Sequence, residues 1–145
     1  MGKETSPFEK FIYGKIKDRK EFHRFILKNQ THEFYNGLTG TLCDSYPHWF
    51  HEWWNKDLFN YEKHSFNIAK NCPDYFNTWF DKDLYNYGSD TSYLVCYNSR
   101  HFKKWWDEYR ICNYINLERD LVLNCMKYKK YWYKTIFYFK LTKNY

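Results

Sequence analysis

Two histidines and a glutamate, His48, His51 and Glu52, stand at helical spacing, three and four residues apart. Two imidazoles on one helix face can chelate a metal, but a zinc site needs a third and a fourth ligand, and no motif supplies them. A solvated helix face is the favoured reading, and no metal is expected. Asp57, Asp81, Asp83 and Asp107 are the other group with chemical reach. A catalytic carboxylate pair needs two different environments around a cleft, whereas these recur in linkers where aspartate caps turns. The five cysteines Cys43, Cys72, Cys96, Cys112 and Cys125 contain no CxxC. They read as small core residues of a reduced protein. With five glycines there is no phosphate-cradling loop and no nucleophile elbow. The chain is expected to be no enzyme and to need no cofactor.

The remaining chemistry is cationic. Residues 99–145 hold eleven Lys or Arg against four Asp or Glu, residues 31–98 four against nine, and residues 1–30 eight against four. Arg100, Lys103 and Lys104 follow i, i+3, i+4, and Lys127, Lys130 and Lys134 follow i, i+3, i+7. Arg110, Arg119 and Lys129 join them in a basic surface interleaved with Tyr128, Tyr131 and Tyr133. Basic charge with interleaved aromatics is the footprint of nucleic-acid binding, and the competing reading is a solvated lysine face. The acidic middle argues against one continuous nucleic-acid groove. It points instead to a protein or ribonucleoprotein partner with complementary patches, or to self-association.

The elements that must position these residues follow from a repeat. Phe50, Phe76 and Phe102 are twenty-six residues apart, and so are Trp53, Trp79 and Trp105, and Trp54, Phe80 and Trp106. Each set follows i, i+3, i+4, so each stripe is helical and none alternates as a strand would. Phe22, Phe25 and Ile26 form a degenerate first copy, displaced by twenty-eight residues. Phe8, Phe11, Ile12 and Ile16 predict a helix before it, and residues 131–139 predict a last one. Pro47 and Pro73 open the tryptophan helices, and Ser65, Thr91 and the nearby Asp90 are expected to cap the helices between them.

A unit of this length cannot bury its own core, so stacking must supply the burial. The sequence predicts an all-α fold, with short helix-pair repeats of period about 26 stacked into a compact α-solenoid of four or five pairs. A single domain is expected over residues 1–145: a degenerate repeat at 8–33, core repeats at 34–114 and a capping segment at 115–145.

Cys72-Pro-Asp-Tyr-Phe-Asn-Thr-Trp-Phe-Asp81 and its copies resemble short Trp-rich helical repeats of uncharacterised phage and large-DNA-virus proteins. The third copy departs, with Asn98-Ser99 in place of Cys-Pro. The resemblance implies a viral origin and a binding role, and it brings no catalytic residues. The expected function is inhibition of a host macromolecular complex, such as a nucleic-acid-containing CRISPR defence complex, in the host cytoplasm. Direct RNA or DNA binding and a structural virion role remain alternatives. Met1–Ser6 fits the myristoylation pattern at Gly2, with Lys15, Lys17, Arg19 and Lys20 as a second signal, and membrane attachment is expected only through that route.

Overall fold

The computed structural model describes residues 6–142, whose regular secondary structure is all helix with no strand. Gly2 lies outside the described residues. No described helix is long and apolar enough to cross a membrane. The chain divides into two units, Met1–Tyr75 and Phe76–Tyr145.

The first unit holds α1 (Pro7–Ile12), α2 (Arg19–Lys28), α3 (His32–Ser45), α4 (Phe50–Trp53) and α5 (Tyr61–Asn71). Polar side chains start most of them. Ser6 accepts from the Glu9 N–H at 3.1 Å, Thr31 from Phe34 at 3.2 Å and Asn60 from Lys63 at 3.1 Å. The helix expected to run from Phe8 toward Ile16 ends at Ile12 because Gly14 takes φ 67. That conformation directs the Lys15 N–H back to the Lys10 carbonyl at 2.9 Å and closes the helix in a Schellman turn. Phe11 and Ile16 are buried nonetheless, while Phe8 and Ile12 are exposed.

Phe11, Phe22, Phe25 and Tyr46 form an aromatic cluster, with the Phe11 and Tyr46 rings stacked at 5.3 Å. The Tyr46 hydroxyl donates to the Phe11 carbonyl at 2.9 Å, so a fully buried phenol keeps its hydrogen bond. α2 packs on α4, and α3 packs along α5. Gly40 permits that approach, because a Cβ there would meet His64 Cδ2 at 3.0 Å. His64 Nδ1 lies 2.5 Å from Thr39 Oγ1.

Burial, and then the charge of Lys63, pushes the His64 pKa below its ordinary value. The unfolded chain therefore binds the proton more readily. The stabilising contribution of neutral His64 is present above about pH 6.5 and is lost as pH falls through the lower folded value. Urea midpoints of the first unit are expected to fall between pH 7 and pH 5.5, and His64→Gln is expected to flatten that slope. An unchanged slope in the variant would assign the effect to other groups.

The second unit holds α6 (Phe76–Trp79), α7 (Tyr87–Tyr97), α8 (Phe102–Trp105), α9 (Leu117–Asn124) and α10 (Lys129–Thr142). Ser65 and Thr91 are not caps as expected. α5 and α7 start four residues earlier, at Tyr61 and Tyr87, and break at the non-helical His64 and Asp90, so a helical run does begin at Ser65 and Thr91 and Asp90 stands just before the second of them. The Ser65 and Thr91 hydroxyls then donate back to the Tyr61 and Tyr87 carbonyls, at 2.5 and 2.6 Å.

The one-turn helices α4 and α8 are held by tryptophan. Trp53 Nε1 donates to the Tyr46 carbonyl at 2.8 Å, and Trp105 Nε1 to the Asn98 carbonyl at 2.7 Å. Each accepting carbonyl lies seven residues back, at the end of the preceding long helix. Tyr35 and Tyr87 hydroxyls bond the Trp53 and Trp105 carbonyls, both at 2.7 Å. Burial raises the Tyr35 pKa to about 12.

Candidate functional site

Every cation of the expected basic surface falls in the second unit and is exposed. They divide into two groups. Arg110 is committed, with 2.7 Å to Asp83 Oδ1, 3.3 Å to Asp107 Oδ2 and a bond to the Lys82 carbonyl. Arg119 lies 3.4 Å from Asp120, and Arg100 Nε donates to His101 at 3.1 Å. By contrast, no described carboxylate lies in ion-pair range of Lys103, Lys104, Lys127, Lys129, Lys130 or Lys134.

Two tyrosines organise the lysines without carboxylates. Tyr128 is fixed by stacking on Phe102 at 4.6 Å, nearly parallel, at the close of the 3₁₀ turn Met126–Tyr128. Lys127 Nζ lies 5.5 Å from its ring. One helical turn on, Tyr131 is 42% exposed, with Lys130 Nζ at 5.2 Å and Lys103 Nζ at 5.8 Å from its ring. α8, the 3₁₀ turn Met126–Tyr128 and the start of α10 thus bring Lys103, Lys127 and Lys130 to one pair of rings. Lys104 is tied to Asn77 on α6. Lys129 and Lys134 belong to a neighbouring groove, with Trp132, Tyr133, Ile136, Phe137 and Lys140.

Trp132 was hidden in the segment expected to cap the fold. Its Nε1 donates to the Cys125 carbonyl at 2.9 Å, as Trp53 and Trp105 do to theirs. It stands twenty-seven residues after Trp105, the spacing that also relates Lys127 to Arg100. Lys129 accordingly occupies the place of Phe102 and leaves the start of α10 without that ring. Tyr114, the counterpart of Tyr87, departs as well: its hydroxyl donates to Asp120 Oδ2 at 2.8 Å.

The other candidates resolve into structure. The His48 ring packs on Trp49 at 4.4 Å, and His51 meets Tyr75 edge-on at 5.1 Å. Glu52, read as solvated, has its side chain 15% exposed and takes Arg19 at 2.6 Å and His23 at 2.7 Å. Those two bonds, Arg19 first, hold its carboxyl below the usual range. Among the described residues no three His, Cys, Asp or Glu are grouped to hold a metal ion.

The carboxylates of Asp81 and Asp107 cap turns, accepting the Asp83 and Tyr109 N–H groups, each at 2.9 Å. Asn55 does the same for Asp57 at 3.1 Å, so the equivalent of Asp81 in the first unit is an amide rather than Asp57.

Cys43, Cys72 and Cys125 are buried as expected, but Cys96 is exposed and Cys112 half-buried. Burial pushes the thiols of Cys43, Cys96 and Cys125 up, to about 11 for Cys96 and about 12 for Cys125. Thiolate is the reactive form. Alkylation at pH 7.5 read by mass spectrometry is therefore expected to leave Cys43, Cys72 and Cys125 unmodified until denaturant is added, with Cys96 slow despite its exposure. Prompt native labelling of Cys43 would contradict the packing of the first unit.

No family model, no curated protein sequence and no solved structure matches the chain.

Proposed function

We propose that the chain is a non-enzymatic interaction protein of phage or viral type whose lysine–tyrosine face binds an anionic host macromolecule, a nucleic-acid-containing defence complex being the preferred target. The carrying observation is the group of six exposed lysines that no described carboxylate neutralises, three of them gathered over Tyr128 and Tyr131. A structural salt-bridge network would pair such charges, as Arg110 is paired. An unpaired set instead keeps its Coulomb field for a partner and speeds encounter. Direct binding of RNA or DNA is the second reading, favoured by Tyr131, a half-exposed ring between lysines that suits base stacking.

The same proposal takes the helices as a stacked helix-pair repeat of period near 26. The tryptophan-to-carbonyl bonds at Trp53, Trp105 and Trp132 support it, as do the stacked ring pairs Phe50–Tyr75, Phe76–His101 and Phe102–Tyr128.

The test is fluorescence anisotropy with labelled single-stranded RNA and duplex DNA at about 50 and 200 mM salt, followed by pull-down of a purified host ribonucleoprotein. Affinity for naked nucleic acid that falls at least about tenfold across that range favours the second reading. Binding that appears only with the intact complex favours the first. Binding to neither overturns both.

A further inference from the structure

The neighbouring groove on the second unit faces a different kind of ligand. It is an open cavity of about 550 Å³ between α9 and α10, floored by Trp132, Ile136, Phe137 and Val122. Phe137 is 63% exposed and Leu141 58%, one helical turn apart on α10. The rim carries Lys129, Lys134 and Lys140 against the single acid Glu118, and Glu118 is already spent on Lys140 at 2.6 Å. An apolar trough rimmed by polar residues marks an interaction site, and its uncompensated lysines set the sign of what enters.

We infer that this groove receives an acidic amphipathic helix of a partner protein, its apolar stripe on Phe137 and Val122 and its carboxylates on Lys129 and Lys134. The shape argues for a helix, since two helices bound the trough and a third can lay its i, i+3, i+4, i+7 side chains into it. The charge argues for acid. A second copy of the chain is a poor occupant because it carries a net charge of +6 and part of its acid is engaged internally, Glu52 with Arg19 and His23, Asp44 with Asn67 and Asn71, and Asp83 with Arg110. The inference rests on the reading above in treating the chain as a binding protein, and it shares Lys129 and Lys134 with the six lysines counted there, so the two are separated at other residues. Phe137 and Val122 lie outside the lysine–tyrosine face, and Lys103 and Lys130 lie outside the groove.

The experiment is fluorescence polarisation of the full chain with a labelled designed peptide of about four helical turns, Leu and Phe on one face and Glu on the other. Controls are the same composition scrambled and the same stripe with Lys replacing Glu. Saturable binding is expected for the acidic amphipathic peptide alone, weakened about tenfold or more by Phe137→Asp. Lys134→Glu is expected to weaken it less and to flatten its salt dependence. Phe137 is exposed, so circular dichroism of Phe137→Asp should match the parent. No binding, equal binding of the scramble, or full binding to Phe137→Asp overturns the inference. So does sedimentation showing a dimer that Phe137→Asp dissolves, since a second copy then fills the groove. Anisotropy with RNA and DNA, repeated on Phe137→Asp, separates the two surfaces: unchanged nucleic-acid binding with lost peptide binding supports the inference.

Discussion

Replacing Trp105 by Ala is expected to destabilise the second unit by about 3–5 kcal/mol, the range for removing a buried aromatic. The indole is fully buried and meets the rings of Phe102 and Trp106 at 5.0 and 6.3 Å. Its removal opens a cavity and takes from the Asn98 carbonyl one of two donors, the His101 N–H at 3.0 Å remaining. The carbonyl stays satisfied, so the lost indole bond adds only about 0.5–1.5 kcal/mol, the net worth of one hydrogen bond. α8 has one turn and no side-chain cap, so it has no local means of surviving the loss. A domain is stable by about 5–15 kcal/mol in all, and Trp105→Ala approaches that limit. Trp105→Phe keeps most of the apolar area but loses the bond, and should fall between the two. Chemical denaturation followed by circular dichroism measures both. A Trp105→Ala protein as stable as the parent would remove the tryptophan from the core.

The double substitution Lys103→Glu, Lys130→Glu is expected to weaken binding of the anionic partner by about 100-fold at low salt and to lower the salt slope by about two. Both side chains are exposed and unpaired, so little of this loss comes through the fold. Each gives up a cation–π contact with Tyr131, worth about 0.5–1 kcal/mol at an exposed site. Arg110→Ala is the informative control. That guanidinium is held by Asp83 and Asp107, so its removal should disturb the turn at Asp107 and leave binding close to the parent. If Arg110→Ala and the double variant weakened binding equally, the distinction between paired and unpaired cations would be void.

The tryptophan helices were legible in the sequence because their determinants are local. Phe50, Trp53, Phe76, Trp79, Phe102 and Trp105 are all buried where an i, i+3 stripe places them. The third member of each stripe, at Trp54, Phe80 and Trp106, is only half-buried, since these residues sit where the helix ends and the chain turns extended.

What periodicity could not show is what distant partners do. Glu52 reads as solvent-facing from its own helix and is covered by Arg19, thirty-three residues away. Ser65 and Thr91 have the chemistry of caps, yet the tyrosines four residues before them already begin the helix by packing inward. The basic surface was legible as a set of lysines, but its division into paired and unpaired cations needed the positions of Asp83, Asp107 and Asp120. The groove between α9 and α10 left no local mark, because Val122 and Phe137 are fifteen residues apart and meet only when the helices pack.

The bond from the indoles of Trp53, Trp105 and Trp132 to a main-chain carbonyl has a genetic consequence. The receiving residue supplies an atom that every amino acid possesses, and the receivers here are Tyr46, Asn98 and Cys125, three side chains with nothing in common. Selection at those codons is free to act on whatever else the side chain touches, as the Tyr46 hydroxyl does with Phe11. The donating codon has no such latitude, since no other residue pairs an aromatic of that size with a ring N–H. The receiving position can therefore change freely while the tryptophan cannot, so of each such bond only the donor is visible in the sequence.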